Sequence, residues 1–198
     1  MSEQQREENF EGEMTSEKRR PAPRVYVASL SDYNNGRLIG RWLDAAVEPE
    51  DLAHEVENML AASPTAGAEE WAIFDHEGFG PFPVGEYERL AVVSRVARGI
   101  AEHGEAFAHW AALVGTTDPE ELNRFDEAYL GRFDSLESYA EDMLDDLGYL
   151  EAVERAVPEG LQPYVEVDVA GFARDLELSG EVTARPGSEG VYVFDMTQ

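Results

Sequence analysis

Val25-Tyr-Val-Ala-Ser-Leu-Ser-Asp-Tyr-Asn-Asn-Gly-Arg-Leu-Ile-Gly-Arg-Trp-Leu-Asp44 is the stretch on which the fold turns. Residues 25–30 are β-branched, aromatic and aliphatic, a composition that favours a strand. Asn35-Gly36 tolerates positive φ at both positions and predicts a tight turn. Residues 37–43 are then the returning strand, with Leu38 and Trp42 in the core. Pro49 suits a first helical position, and Leu52, Val56, Met59 and Leu60 recur at helical spacing as far as Ala62. Glu70-Trp-Ala-Ile-Phe74 supplies a third strand. A small sheet with one helix follows.

Gly78-Phe-Gly-Pro-Phe-Pro83 interrupts regular structure and marks a boundary. Three helical patterns come next. Residues 86–101 carry Leu90, Val93, Ala97 and Ile100, and residues 105–114 carry Phe107, Trp110 and Leu113. The third opens on Asp118-Pro-Glu-Glu121, an N-cap with Pro behind it and Glu at the third position, and runs through Leu122, Phe125 and Tyr129. Asp134 and Glu137 predict another capped helix, with Leu136, Tyr139, Ala140, Met143, Leu144 and Leu147 as its apolar stripe and Gly148 as its stop. A short helix over 170–178 ends before Gly180. Residues 181–185 and 191–194 form two strands joined by Pro186-Gly-Ser-Glu-Gly190. The expectation is an α+β protein with a disordered tail at 1–22 and three small domains. These are an α+β domain at 23–80, a helical domain at 81–125 and an acidic α+β domain at 126–198.

The charge is the strongest functional signal. Forty-two Asp and Glu face 15 Lys and Arg, a formal net of −27 on 198 residues. A small domain stays soluble with a net magnitude of about 2–8, and a larger excess destabilises the compact state by self-repulsion. Residues 126–198 are the most acidic part, with eighteen acids against four bases. Nine Phe, eight Tyr and three Trp separate the chain from acidic disordered proteins. Nucleic acid and anionic lipid both require basic patches, so neither is an expected partner; a cationic protein surface is. The absence of cysteine removes disulfides, thiolate metal sites and Cys nucleophiles. No apolar run reaches the roughly 18 residues that span a bilayer, and residues 1–20 lack a signal-peptide core, so a cytoplasmic location is expected.

On the helix expected at 134–148, the outward residues are Glu137, Glu141, Asp142, Asp145 and Asp146, with no basic residue among them. Glu137, Glu141 and Asp145 repeat every four residues, which spaces carboxylates by about 6 Å. That is the scale of phosphates along a nucleic-acid strand, and duplex DNA carries one charge per about 1.7 Å. A second acidic stripe, Glu48, Glu50, Asp51, Glu55 and Glu57, lies on the first helix. Either stripe is also what an ordinary solvated helix face looks like. Adaptation to high salt is a further alternative, and Arg in place of Lys everywhere but Lys18 is compatible with it. A carboxylate-based or metal-dependent hydrolase is another, with Asp75 and Glu77 as its candidate pair. His54, His76, His103 and His109 show no metal-ligand spacing, no nucleotide-binding or hydrolase motif is present, and Gly78/Gly80 lack the third glycine of a dinucleotide loop. No catalytic residue, metal or cofactor is expected.

Residues 25–44 resemble the opening signature of the ArdA family of antirestriction proteins. Glu70-Trp-Ala-Ile-Phe-Asp-His-Glu-Gly-Phe79, Glu102-His-Gly-Glu-Ala-Phe107, Tyr139-Ala-Glu-Asp142 and Phe172-Ala-Arg-Asp-Leu-Glu-Leu-Ser-Gly180 continue the likeness in order over about residues 23–194. The resemblance implies a mobile-element protein without enzymatic activity that imitates bent B-form DNA. It implies an elongated body of three small domains, paired as a two-fold homodimer through the last. The implied partner is the DNA-binding groove of a type I restriction–modification enzyme. Residues 129–147 are the part most similar to the family's acidic antirestriction signature.

Overall fold

The alternation of Val25, Val27 and Leu43 with Tyr26 and Trp42 fixes the first sheet, because strand side chains change face at every residue. The computed structural model describes residues 22–115 and 118–197; the tail expected at 1–22 lies outside them except for Ala22. Strand β1 (Arg24–Ser29) is central, with β2 (Gly40–Asp44) and β3 (Trp71–Glu77) antiparallel on either side. Val25 opposes Leu43 on the core face, and Tyr26 opposes Trp42 on the other. Helix α2 (Pro49–Ala61) lays Leu52, Val56 and Met59 on the core face. Helix α1 (Leu30–Asn34) links β1 to β2.

Helices α3 (Leu90–His103) and α4 (Glu105–Val114) extend the same core with Val93, Val96, Phe107 and Trp110. A 3-10 turn (Pro119–Arg124) and the single turn α5 (Phe125–Ala128) follow, and the Trp110 indole N–H donates to the Glu121 carbonyl at 3.0 Å. The second sheet has the order β4 (Tyr129–Phe133), β6 (Val191–Asp195), β5 (Val182–Pro186), all antiparallel. Helices α6 (Leu136–Asp146), α7 (Tyr149–Ala156) and α8 (Val169–Ser179) belong with it. Strand β6 divides its side chains between two clusters. Tyr192 and Phe194 enter the main core that begins at Val25, and Val193 joins a smaller cluster with Ala140, Ala173, Leu176 and Val182. Gly190 closes the β5–β6 turn at φ 75°, where a Cβ would fall 2.1 Å from the Phe133 carbonyl oxygen. Only glycine fits there.

Mixed helix and small antiparallel sheets bear out the α+β class. Four local expectations are corrected. The tight hairpin is replaced by α1, because Ser29 caps a helical turn and its Oγ accepts from the Asp32 N–H at 3.2 Å. Leu38 consequently precedes the strand and is exposed, Trp42 lies half-buried on the open face, and Leu43 takes the core position. The helix expected from Glu86 begins at Leu90, because Glu86 instead runs beside β3 and its carbonyl accepts from the Ile73 N–H at 2.9 Å. The third helix stops after α5: Tyr129 starts β4 opposite Phe194, and Gly131 at φ 135° is incompatible with a helix. Finally, Ser135 rather than Asp134 caps α6, its Oγ accepting from the Ser138 N–H at 3.1 Å.

Candidate functional site

Helix α6 exists because Ser135 satisfies an orphan N–H of its first turn, because Ala140 has a cluster to enter, and because Leu144 is buried on the same helix. Leu136, Tyr139 and Met143 pack half-buried against the same cluster, on α8 and β6. That fixes the helix rotation. Glu137, Glu141, Asp142, Asp145 and Asp146 are therefore turned outward, and all five are exposed. Among the described residues, no Lys, Arg or His forms an ion pair with any of them. A helix face normally gains a few tenths of a kcal/mol per opposite-charge pair and loses a similar amount per like-charge pair at four-residue spacing. Glu137–Glu141 and Glu141–Asp145 both incur that loss.

Helix α2 presents its own acids differently. Pro49 occupies the first turn, and Glu50 and Asp51 sit where the helix dipole favours negative charge. Glu48, Glu50, Asp51, Glu55 and Glu57 are all exposed. Glu48 accepts from Arg98 of α3 at 2.6 Å, and Glu55 pairs with Arg41 of β2, which also donates to the Glu55 carbonyl at 2.8 Å. Glu57 lies 3.9 Å from His54. Both stripes thus face solvent, one tied to arginines and one bare. They sit on separate packing units, α2 on the first sheet and α6 beside the second.

Asp75 and Glu77 are exposed on β3, where Glu77 binds Arg24 at 2.7 Å and the Asp75 carboxylate accepts the His76 N–H at 2.8 Å. Among the described residues, no group of three or more His, Asp or Glu is arranged to hold a metal ion, and no helix is long and apolar enough to cross a membrane. His54 is exposed, while His76 and His103 pack against Phe79 and Phe107. Gly78 and Gly80 serve a loop at positive φ. His109 is buried against Tyr192, and its desolvation holds the imidazole below the usual histidine range although Glu105 lies 3.7 Å away. Buried Asp32 accepts from Ser63 and, at 2.6 Å, from Thr65; these bonds hold its carboxyl below the ordinary carboxylate range.

Surface features without a place in the sequence reading include α7, which has no buried residue. Leu147, Tyr149, Val153, Leu161 and Tyr164 are exposed around it, Tyr164 to 83%. The sequence signal was present as an apolar face at helical spacing, Tyr149 with Val153, that is left exposed among the described residues. The sequence model of a family described as "Antirestriction protein (ArdA)" matches residues 25–189. No curated protein matches the chain.

Proposed function

The chain belongs to the ArdA family of antirestriction proteins, and from that premise we propose that its acidic surface occupies the DNA-binding groove of a type I restriction–modification enzyme. Antirestriction proteins of this family are inhibitors and not enzymes. The carboxylates of α6 stand in for duplex phosphates, and the partner's Lys and Arg pair with them. The observation that carries this reading is the unpaired outward face of α6, five exposed acids on one helix with no basic neighbour bonded to them. The α2 stripe contributes less, because two of its acids already hold arginines. A net charge of −27 matches the phosphates of about 46 Å of duplex at one charge per about 1.7 Å.

The same proposal includes a two-fold homodimer closed by residues 126–198 and acting in the cytoplasm. Exposed Leu147, Tyr149 and Val153 support the dimer, since apolar groups of that size on one face suit an isologous contact. The division at residues 80 and 125 belongs to it as well, because the two sheets flank α3 and α4 in the chain. The test is competition: purified protein against labelled duplex for a type I methyltransferase core, over a salt series. The expected result is displacement that weakens steeply as salt rises. Absence of displacement at every ionic strength overturns the proposal. A salt-adapted protein with no partner would instead lose its fold at low salt.

A further inference from the structure

Three aromatic side chains stand on the surface of the first sheet and serve neither its core nor the acidic helices. Tyr33 is 53% exposed, Phe74 37% and Tyr87 69%. The Tyr33 and Phe74 rings meet edge to face with centroids 5.0 Å apart. The bond from the Ile73 N–H to the Glu86 carbonyl holds Glu86 and Tyr87 alongside β3, at the level of Phe74. The Leu30 N–H donates to the Glu70 carbonyl at 3.0 Å, which brings Glu70 to the start of α1, one turn from Tyr33. The bond to Glu86 and its charge, then desolvation and last the charge of Glu70, keep the Tyr87 hydroxyl above the usual tyrosine range. Rings and carboxylates therefore share one patch at the edge of the sheet.

Exposed rings beside carboxylates are the chemistry of cation recognition. The ring quadrupole attracts a guanidinium over its face, and the acid takes its N–H groups. The molecule contains one such arrangement already filled. Arg24 places its guanidinium 4.7 Å from the Trp42 ring centroid on the open face of this sheet and donates through Nε to Glu77 at 2.8 Å. At Tyr33, Phe74 and Tyr87, no described Lys or Arg lies over a ring.

We infer that Tyr33, Phe74 and Tyr87, with Glu70 and Glu86, form a receptor for an arginine side chain on the cationic protein that α6 addresses. The inference rests on the proposed function and deepens it. The α6 face recognises positive charge at a distance and in any arrangement. The aromatic patch adds a short-range contact that a polycation without a correctly placed arginine does not satisfy. Such anchors are rich in Tyr and Arg at protein interfaces generally.

The two contributions respond differently to salt, which makes them separable. In the competition assay with a type I methyltransferase core and labelled duplex, the double variant Tyr33→Ala/Tyr87→Ala is expected to compete about five- to tenfold more weakly at every salt concentration, with the salt slope unchanged. Tyr33→Phe/Tyr87→Phe keeps the rings and is expected to compete as the wild type does. Tyr87→Ala alone, at the most exposed of the three rings, gives the same direction at about two- to threefold and guards against a folding effect of the double change. If both alanine variants compete like the wild-type chain while that chain displaces duplex, the arginine receptor is wrong and the proposed function stands. If the wild-type chain never displaces duplex, both fall together.

Discussion

Helix α2 with its N-cap residue Glu48, and helix α6, each carry five exposed carboxylates, yet they are not equivalent surfaces. Glu48 and Glu55 of α2 are held by Arg98 and Arg41, so part of that stripe is answered within the molecule. Glu137, Glu141, Asp142, Asp145 and Asp146 of α6 have no such answer among the described residues. Exposed ion pairs contribute at most about 1 kcal/mol, so the α2 arginines add little to stability. What they change is the field available to a partner. An acidic composition marks a candidate surface, and intramolecular pairing decides which part of it is open.

The largest expected effect comes from abolishing that difference. Glu137→Gln, Glu141→Gln, Asp145→Asn and Asp146→Asn together should weaken displacement of duplex by about a hundredfold at moderate salt, since several charge contacts vanish at once. Each alone should change it about threefold or less. Neutralising Glu48, Glu50, Asp51 and Glu55 together should weaken it only about tenfold. Equal losses for the two helices would erase the distinction, and one single substitution that abolished inhibition in a folded protein would contradict a delocalised contact.

The two helices also rest on cores of unequal size. Phe194 is fully buried, with its ring centroid 5.6 Å from that of Trp110, and Phe194→Ala should cost about 3–5 kcal/mol. Leu144 of α6, at 7% exposure, should cost about 2 kcal/mol on truncation to Ala. Chemical denaturation ranks the two. The reverse order would mean that the second sheet does not depend on the main core through β6.

Acidification tests the buried groups, which lie in the main core's half of the comparison. Burial lowers the His109 folded-state value, so its neutral form stabilises the fold above about pH 6.5, and that contribution is lost as pH falls below this point. Asp32 is also lowered, by the Ser63 and Thr65 bonds, so its contribution persists to about pH 4 and is lost below it. Relief of self-repulsion works in the opposite sense across the same range. The measurement is therefore a difference: the thermal midpoint of wild type minus that of His109→Gln should shrink from pH 7.5 to 5.5. A constant difference would mean that burial does not lower the His109 folded-state value. Smallest of all, Arg98→Ala should cost at most about 1 kcal/mol while leaving the folded structure intact.

Much of this was legible in the residues, and the failures share a cause. Strands β1, β3, β5 and β6 and helices α2, α4 and α8 follow from local composition, because each carries its own periodicity and stop. Strand β4 does not. Phe125 and Tyr129 are spaced for one helix face, and only the pairing of Tyr129 with Phe194, sixty-five residues away, makes the second a strand residue. Gly131 was the one local hint. Leu38 lies outside the strand because Asn35-Gly36 suits either a hairpin or the end of a helical turn, and buried Asp32 selects the latter. The acidic residues themselves were legible as exposed, since ten of ten lie outside the core. Their arginine partners were not, because Arg98 and Glu48 lie fifty residues apart.

The central claim is tested most directly by the slope of the logarithm of the displacement constant against the logarithm of salt concentration. It should be measured side by side for the wild type and the two fourfold variants. The slope should become shallower by about 3 on neutralising α6 and by only about 1 on neutralising α2, as counterion release requires. Slopes indistinguishable among all three would show that the carboxylates of α6 do not stand in for phosphates.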